Sequence, residues 1–143
     1  NWIENFQAKL KFLSESSGWK FYQQNYGDFR IYPSDNWGIC FVYEYEKGLS
    51  IWKEGITIEQ KEKIKEDLIG SISDFHFIDN EFHNNTTYVM AFNQNQELMF
   101  KDEDEFAWEA NNTNLFDTIA NILKPHLNEE TRKMFLEINN KLE

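Results

Sequence analysis

Between Trp19 and Lys53 the chain alternates apolar and polar residues with a period of two, and three short turn-forming runs interrupt the alternation. Asn25-Tyr26-Gly27-Asp28, Pro33-Ser34-Asp35-Asn36 and Glu46-Lys47-Gly48 supply the residue types that tight turns require, and connections this short join antiparallel neighbours. The pattern predicts four strands, over 19–24, 29–32, 38–45 and 49–53, in one antiparallel meander. In the longest of these, Ile39, Phe41, Tyr43 and Tyr45 share one face while Cys40, Val42, Glu44 and Glu46 share the other. The first face belongs to a core, and the second becomes wetter towards Glu46.

Helical periodicity flanks this meander. Residues 1–15 place Trp2, Ile3, Phe6, Leu10 and Leu13 on one side of a helix that Ser16, Ser17 and Gly18 stop. Thr57 followed by Gln60 is a capping box opening a helix over 57–69, with Ile58, Ile64, Leu68 and Ile69 on its apolar side and Gly70 at its close. Two further strands are expected over 73–78 and 86–92, around the polar loop 79–85, whereas 93–110 shows no clear period. Asn112 or Asn114 can cap a helix through Leu115, Phe116, Ile119, Ile122 and Leu123 that stops before Pro125. Asn128, with Glu129 and Glu130 in the first turn, opens a last helix carrying Met134, Phe135, Ile138 and Leu142. The expected fold class is α+β: an antiparallel β meander sheet packed with N-terminal, middle and C-terminal helices, in a single domain over residues 1–143.

Composition narrows the functional classes. Of 143 residues, 41% are hydrophobic and 17% aromatic, enough for a packed core despite a net charge of −11. The charge is uneven, because residues 73–143 hold fourteen acidic and five basic side chains. No apolar run approaches the roughly 18 residues a membrane span needs, and no basic stretch leads into an apolar one at the start, so membrane and secretory readings are set aside. A lone cysteine, Cys40, forms no intrachain disulfide and no cysteine zinc cage, and a reducing cytoplasmic compartment is expected. A strongly acidic surface repels a phosphate backbone, and Lys61, Lys63 and Lys65 are interleaved with Glu62, Glu66 and Asp67, which disfavours direct nucleic-acid binding.

Catalytic motifs are scarce. Neither G-x-S-x-G, nor G-x-x-x-x-G-K-[ST], nor G-x-G-x-x-G occurs, and Cys40 sits mid-strand as a buried structural thiol. No catalytic residue is assigned and no cofactor is implied. One group has metal-ligand residue types: His76, Asp79, Glu81 and His83, where a strand end and its loop can converge on a divalent ion. The competing reading is a solvated polar loop. Asp102, Glu103, Asp104 and Glu105 form the densest acidic run, which reads as an exposed stretch because it lacks the glycine and bidentate glutamate of a calcium loop. His126 receives no role.

Thirteen Phe, six Tyr and five Trp remain the distinctive feature. A sheet has two faces, and these helices suffice to cover one and part of the other, so some rings stay exposed. Tyr and Trp beside a charged rim make up protein interfaces, and an aromatic sheet face with Tyr22, Tyr32 and Trp52 is the expected binding surface.

At Asp35-Asn36-Trp37-Gly38-Ile39-Cys40-Phe41-Val42-Tyr43-Glu44 and Gly48-Leu49-Ser50-Ile51-Trp52 the chain resembles the C-terminal region of large, defence-associated bacterial proteins of the PD-(D/E)XK nuclease superfamily. The resemblance lies in layout and implies an accessory rather than a catalytic region. The nuclease signature does not carry over: Pro33-Ser34-Asp35 is not followed by D/E-x-K on a neighbouring strand, Glu44-Tyr45-Glu46-Lys47 misses the spacing by one residue, and Glu59-Gln60-Lys61 falls on a predicted helix. In size, acidity and element order the chain is also similar to the small chaperones that serve type III secretion, which implies a homodimer holding an unfolded segment. Acidic immunity and inhibitor proteins form a third class that the charge permits. The sequence therefore leads to a non-catalytic, acidic protein-interaction domain with a basic protein partner. A metal-dependent hydrolase built on His76, Asp79, Glu81 and His83 is the alternative.

Overall fold

Helix α1 (Glu4–Ser16) turns Phe6 and Leu10 inward and ends where Gly18 takes a φ of +85°. That left-handed residue lets the Gly18 N–H donate to the Glu15 carbonyl (3.1 Å) and the Trp19 N–H to the Ser14 carbonyl (3.0 Å), which closes the helix and starts the first strand. The computed structural model describes residues 3–25, 27–68, 71–77, 82–83 and 86–142.

The meander forms as its alternation requires. Strands β1 (Lys20–Asn25), β2 (Asp28–Tyr32), β3 (Cys40–Glu44) and β4 (Gly48–Ile56) pair in chain order, all antiparallel. The register sets Tyr22 opposite Arg30, Arg30 opposite Val42, and Cys40 opposite Trp52. Helix α2 (Ile58–Leu68) opens on the capping box: the Thr57 N–H donates to Gln60 Oε1 (2.9 Å) and the Gln60 N–H donates to Thr57 Oγ1 (3.1 Å). Strands β5 (His76–Phe77), β6 (Phe82–His83) and β7 (Thr86–Phe92) follow. The sheet runs β1-β2-β3-β4-β7-β5, with β6 also paired to β7. Of the strand expected over 73–78, His76 and Phe77 are in a strand, 73–75 are not, and 78 lies outside the described residues; Asp74 is tied elsewhere, its carbonyl accepting from Asn93 Nδ2 (3.2 Å) and its carboxylate binding His126.

Three helices complete the chain: α3 (Glu103–Asn112), α4 (Leu115–Leu123) and α5 (Glu129–Leu142). The acidic run read as an exposed stretch is the start of α3. Asp102 Oδ1 accepts from the Glu105 N–H (2.8 Å), and Glu103, Asp104 and Glu105 meet the positive end of the helix in its first turn. α5 opens as expected, with the Thr131 N–H donating to Asn128 Oδ1 (2.8 Å). The fold is α+β.

All five helices bury residues in one cluster. Phe6, Leu10, Ile64, Leu68, Phe106, Ile119 and Phe135 meet Ile31, Phe41, Tyr43, Leu49 and Ile51 of the sheet. Aromatic rings form its centre, where Phe41 lies 5.0 Å from Phe135 and 5.6 Å from Trp19, and Phe6 lies 5.4 Å from both Phe29 and Phe106. The β2–β3 connection is fastened to α5: Arg132 Nε donates to the Pro33 carbonyl (2.8 Å) and the Ile39 N–H donates to Asn139 Oδ1 (3.0 Å). Gly38 sits so close to Asn139 that a Cβ there would collide with the amide.

Two outcomes follow from that clamp. Gly38→Ala drives the Asn139 amide away from Ile39 and lowers the unfolding free energy by about 1–3 kcal/mol in urea titration. Phe135→Ala, which empties the centre of the core, costs more, about 3–5 kcal/mol.

Candidate functional site

The sheet face turned away from the helices holds a separate, smaller cluster made only of strand residues. Tyr32, Cys40 and Val42 are buried, and Tyr22 and Trp52 pack against them. Period-two alternation puts them there: each is the strand neighbour of a residue that points into the helical core. Among the described residues, no helix contributes to this cluster.

Trp37 stands on this face, 63% exposed, although it lies in the β2–β3 connection rather than in a strand. Its ring stacks on Tyr22 at 5.6 Å with 27° between the planes and meets Tyr32 edge-on at 5.1 Å. Tyr22 and Tyr32 are themselves 5.5 Å apart. Beside these rings, the Arg30 guanidinium lies 4.8 Å over the Trp52 ring and donates to both carboxylate oxygens of Asp28, at 3.0 and 3.1 Å. Tyr32, Trp37, Trp52 and the guanidinium line a trough of about 460 Å³, together with Gln24, Lys53 and Glu54.

The structure thus brings Tyr22, Tyr32 and Trp52 together on one face, with different roles for each. Tyr32 is 2% exposed and forms the floor, Trp52 is a half-buried wall, and Tyr22, also half-buried, supports Trp37 and Tyr32 from outside the trough. Trp37, the most exposed ring of the group, was missing from the sequence-based set. Its signal is a large aromatic inside a turn-forming run, where packing in a core gives it no reason to be.

Burial sets the electrostatics of the floor. It works against the Arg30 charge, but hydrogen bonds with Asp28 and Tyr32 hold the guanidinium above its ordinary pKa, so it stays a cation. Burial pushes the Tyr32 hydroxyl up, aided by Cys40 and opposed by Arg30. Burial also pushes the Cys40 thiol up, from 9.0 to about 12, with the nearby Arg30 opposing it. A thiol held neutral in this way is no nucleophile at neutral pH, and Ser50 on the same face is buried as well.

Of the residues with metal-ligand chemistry, only His76 and His83 are described, and strand pairing sets their backbones apart. His76 sits opposite Phe92 and His83 opposite Thr86, so the two backbones lie six residues apart along β7, or about 20 Å at the rise of a strand. Asp79 and Glu81 lie outside the described residues. No group of three or more His, Cys, Asp or Glu able to hold a metal ion occurs among the described residues. His126 has a structural place that sequence reasoning did not give it: its Nε2 lies 2.8 Å from Asp74 Oδ1 and its ring stacks on Phe41 at 5.9 Å. A second depression, of about 510 Å³, lies beside α3 and α4 and is rimmed by Glu97, Glu105 and Glu109. No helix among the described residues is long and apolar enough to cross a membrane.

Comparison with protein-family models, with curated proteins and with solved structures finds no match.

The raised thiol predicts a pH dependence. A protonated Cys40 stabilises the fold below its ordinary pKa, and that contribution is lost as pH climbs from 9.0 towards about 12, because the unfolded chain ionises first. One such group contributes a slope of about 1.4 kcal/mol per pH unit. Urea unfolding between pH 9 and 11 gives a falling stability, and Cys40→Ala makes the fall shallower by that slope. Asp28→Asn, which removes the carboxylate from Arg30, costs about 1.5–3 kcal/mol at pH 7 in the same measurement.

Proposed function

We propose that this chain is a non-catalytic protein-interaction domain that receives a basic protein partner on the helix-free face of its sheet. The observation that carries the reading is Trp37: an indole 63% exposed, yet stacked on Tyr22 and Tyr32 and held on a connection that α5 clamps at both ends. A ring fixed in advance loses little freedom on binding, and Trp, Tyr and Arg beside a fitted trough are the residue types that dominate binding energy. The trough offers anchors and shape, and the Cys40 thiol and Ser50 hydroxyl of this face are buried.

Charge selects the partner. At a net charge of −11, long-range attraction favours a basic surface and speeds its approach, whereas a nucleic-acid backbone is repelled. The resemblance to accessory regions of defence-associated nucleases names the first class to test, because enzymes that bind nucleic acid carry basic surfaces. In that setting the domain regulates or recruits an enzyme and performs no chemistry of its own.

The test is affinity capture from cells that make the protein, followed by binding measurements with the purified partner at low and moderate salt. Trp37→Ala and Trp52→Ala each weaken the partner by more than about 1 kcal/mol, roughly fivefold in Kd, with folding intact. Binding also weakens as salt rises. A partner held equally well by both variants removes the sheet face from consideration.

A further inference from the structure

On the opposite side of the molecule, α1 and α4 frame an apolar groove of about 460 Å³. Phe12, 75% exposed, projects from it, and Ala8, Leu13 and Phe116 form its walls. Its edges are basic: Lys9 lies 5.6 Å over the Phe116 ring, Lys124 lines the far side, and Lys11 flanks Phe12 in an adjoining depression whose one carboxylate is Glu15. In a chain where acids outnumber bases 25 to 14, Lys9, Lys11 and Lys124 stand together beside one apolar groove, and none has an ion-pair partner among the described residues.

The complement is on the same chain. Helix α3 exposes Trp108 (59%), and Asp104 and Glu105 lie one turn before it on the same side. None of the ion pairs of the described residues uses either carboxylate. One strip is thus an aromatic ring with Lys9 one turn before it and Lys11 and Lys124 at its sides, and the other an aromatic ring with two carboxylates one turn before it. Both α1 and α3 pack against α4, so the two strips sit on neighbouring elements of one helical layer.

We propose that the chain forms a symmetric homodimer in which α3 of each copy docks into the α1–α4 groove of the other. Trp108 of one copy enters the groove beside Phe12 and Phe116, and its Asp104 and Glu105 meet Lys9, Lys11 and Lys124. A two-fold operation makes this contact twice, which closes the pair and leaves no unsatisfied strip to extend a fibre. The contact lies on the helical layer, away from the aromatic trough of the sheet, so it is independent of the partner site proposed above.

Sedimentation equilibrium of the purified chain at about 0.15 M salt, where the repulsion between two copies of net charge −11 is screened beyond about 8 Å, tests this directly. The result expected is a dimer mass, with Phe12→Asp and Trp108→Asp each raising the dimer Kd at least tenfold. The decisive arm uses charge reversal. Lys9→Glu/Lys11→Glu and Asp104→Lys/Glu105→Lys are each monomeric alone and form a dimer when mixed, because only the mixture restores opposite charges at both contacts. Circular dichroism checks that each variant folds, and Asp102 keeps the α3 cap in all of them. A monomer in this measurement overturns the proposal. So does a dimer that survives Trp108→Asp, or two charge-reversed proteins that stay apart on mixing.

Discussion

Everything in this molecule is arranged around one asymmetry: five helices bury their apolar sides on the same face of the sheet. The strand β3 sets it up, since Phe41 and Tyr43 point to the helices while Cys40 and Val42 point away. Phe41 is the meeting point, in ring contact with Trp19, Phe75, Phe135 and the imidazole of His126. With the apolar sides of the helices committed to that face, the opposite one covers itself with its own large side chains. Tyr22, Tyr32, Trp37, Trp52 and Arg30 lean on each other above the small residues of the central strands.

That self-covering is also what makes the face suited to recognition. An exposed indole that swung freely would lose its freedom on binding, but Trp37 is held by stacking below and by α5 behind. The same packing keeps the reactive groups of the face silent. Cys40 is buried with its thiol pushed up to about 12, and the Arg30 charge is already matched by Asp28. The surface therefore offers shape, aromatic area and local polarity, and the proposed binding role rests on these.

Local rules were easy to read from the sequence. The Thr57–Gln60 capping box, the Asn128 cap and the period-two meander all depend on residues within a few positions of one another, and all are present as expected. α3 shows no helical period in the sequence because its large apolar residues, Phe106 and Trp108, are too few to set one. The acidic run before them carries its signal, as a cap and a first turn. The placement of Trp37 depends on bonds between residues 99 and 100 positions apart, which no local pattern encodes. Closeness in sequence likewise made His76 and His83 look like neighbours, while strand pairing sets them at different positions along β7.

The account rests on the helix-free face being open to solvent, and the tryptophan indole N–H groups report on that face one by one. In NMR spectra with a neutral soluble nitroxide, the Trp37 indole relaxes strongly, while Trp19, buried among Phe41 and Phe135, is protected. A Trp37 indole as protected as that of Trp19 would mean that another part of the chain covers the face, and the account would fail.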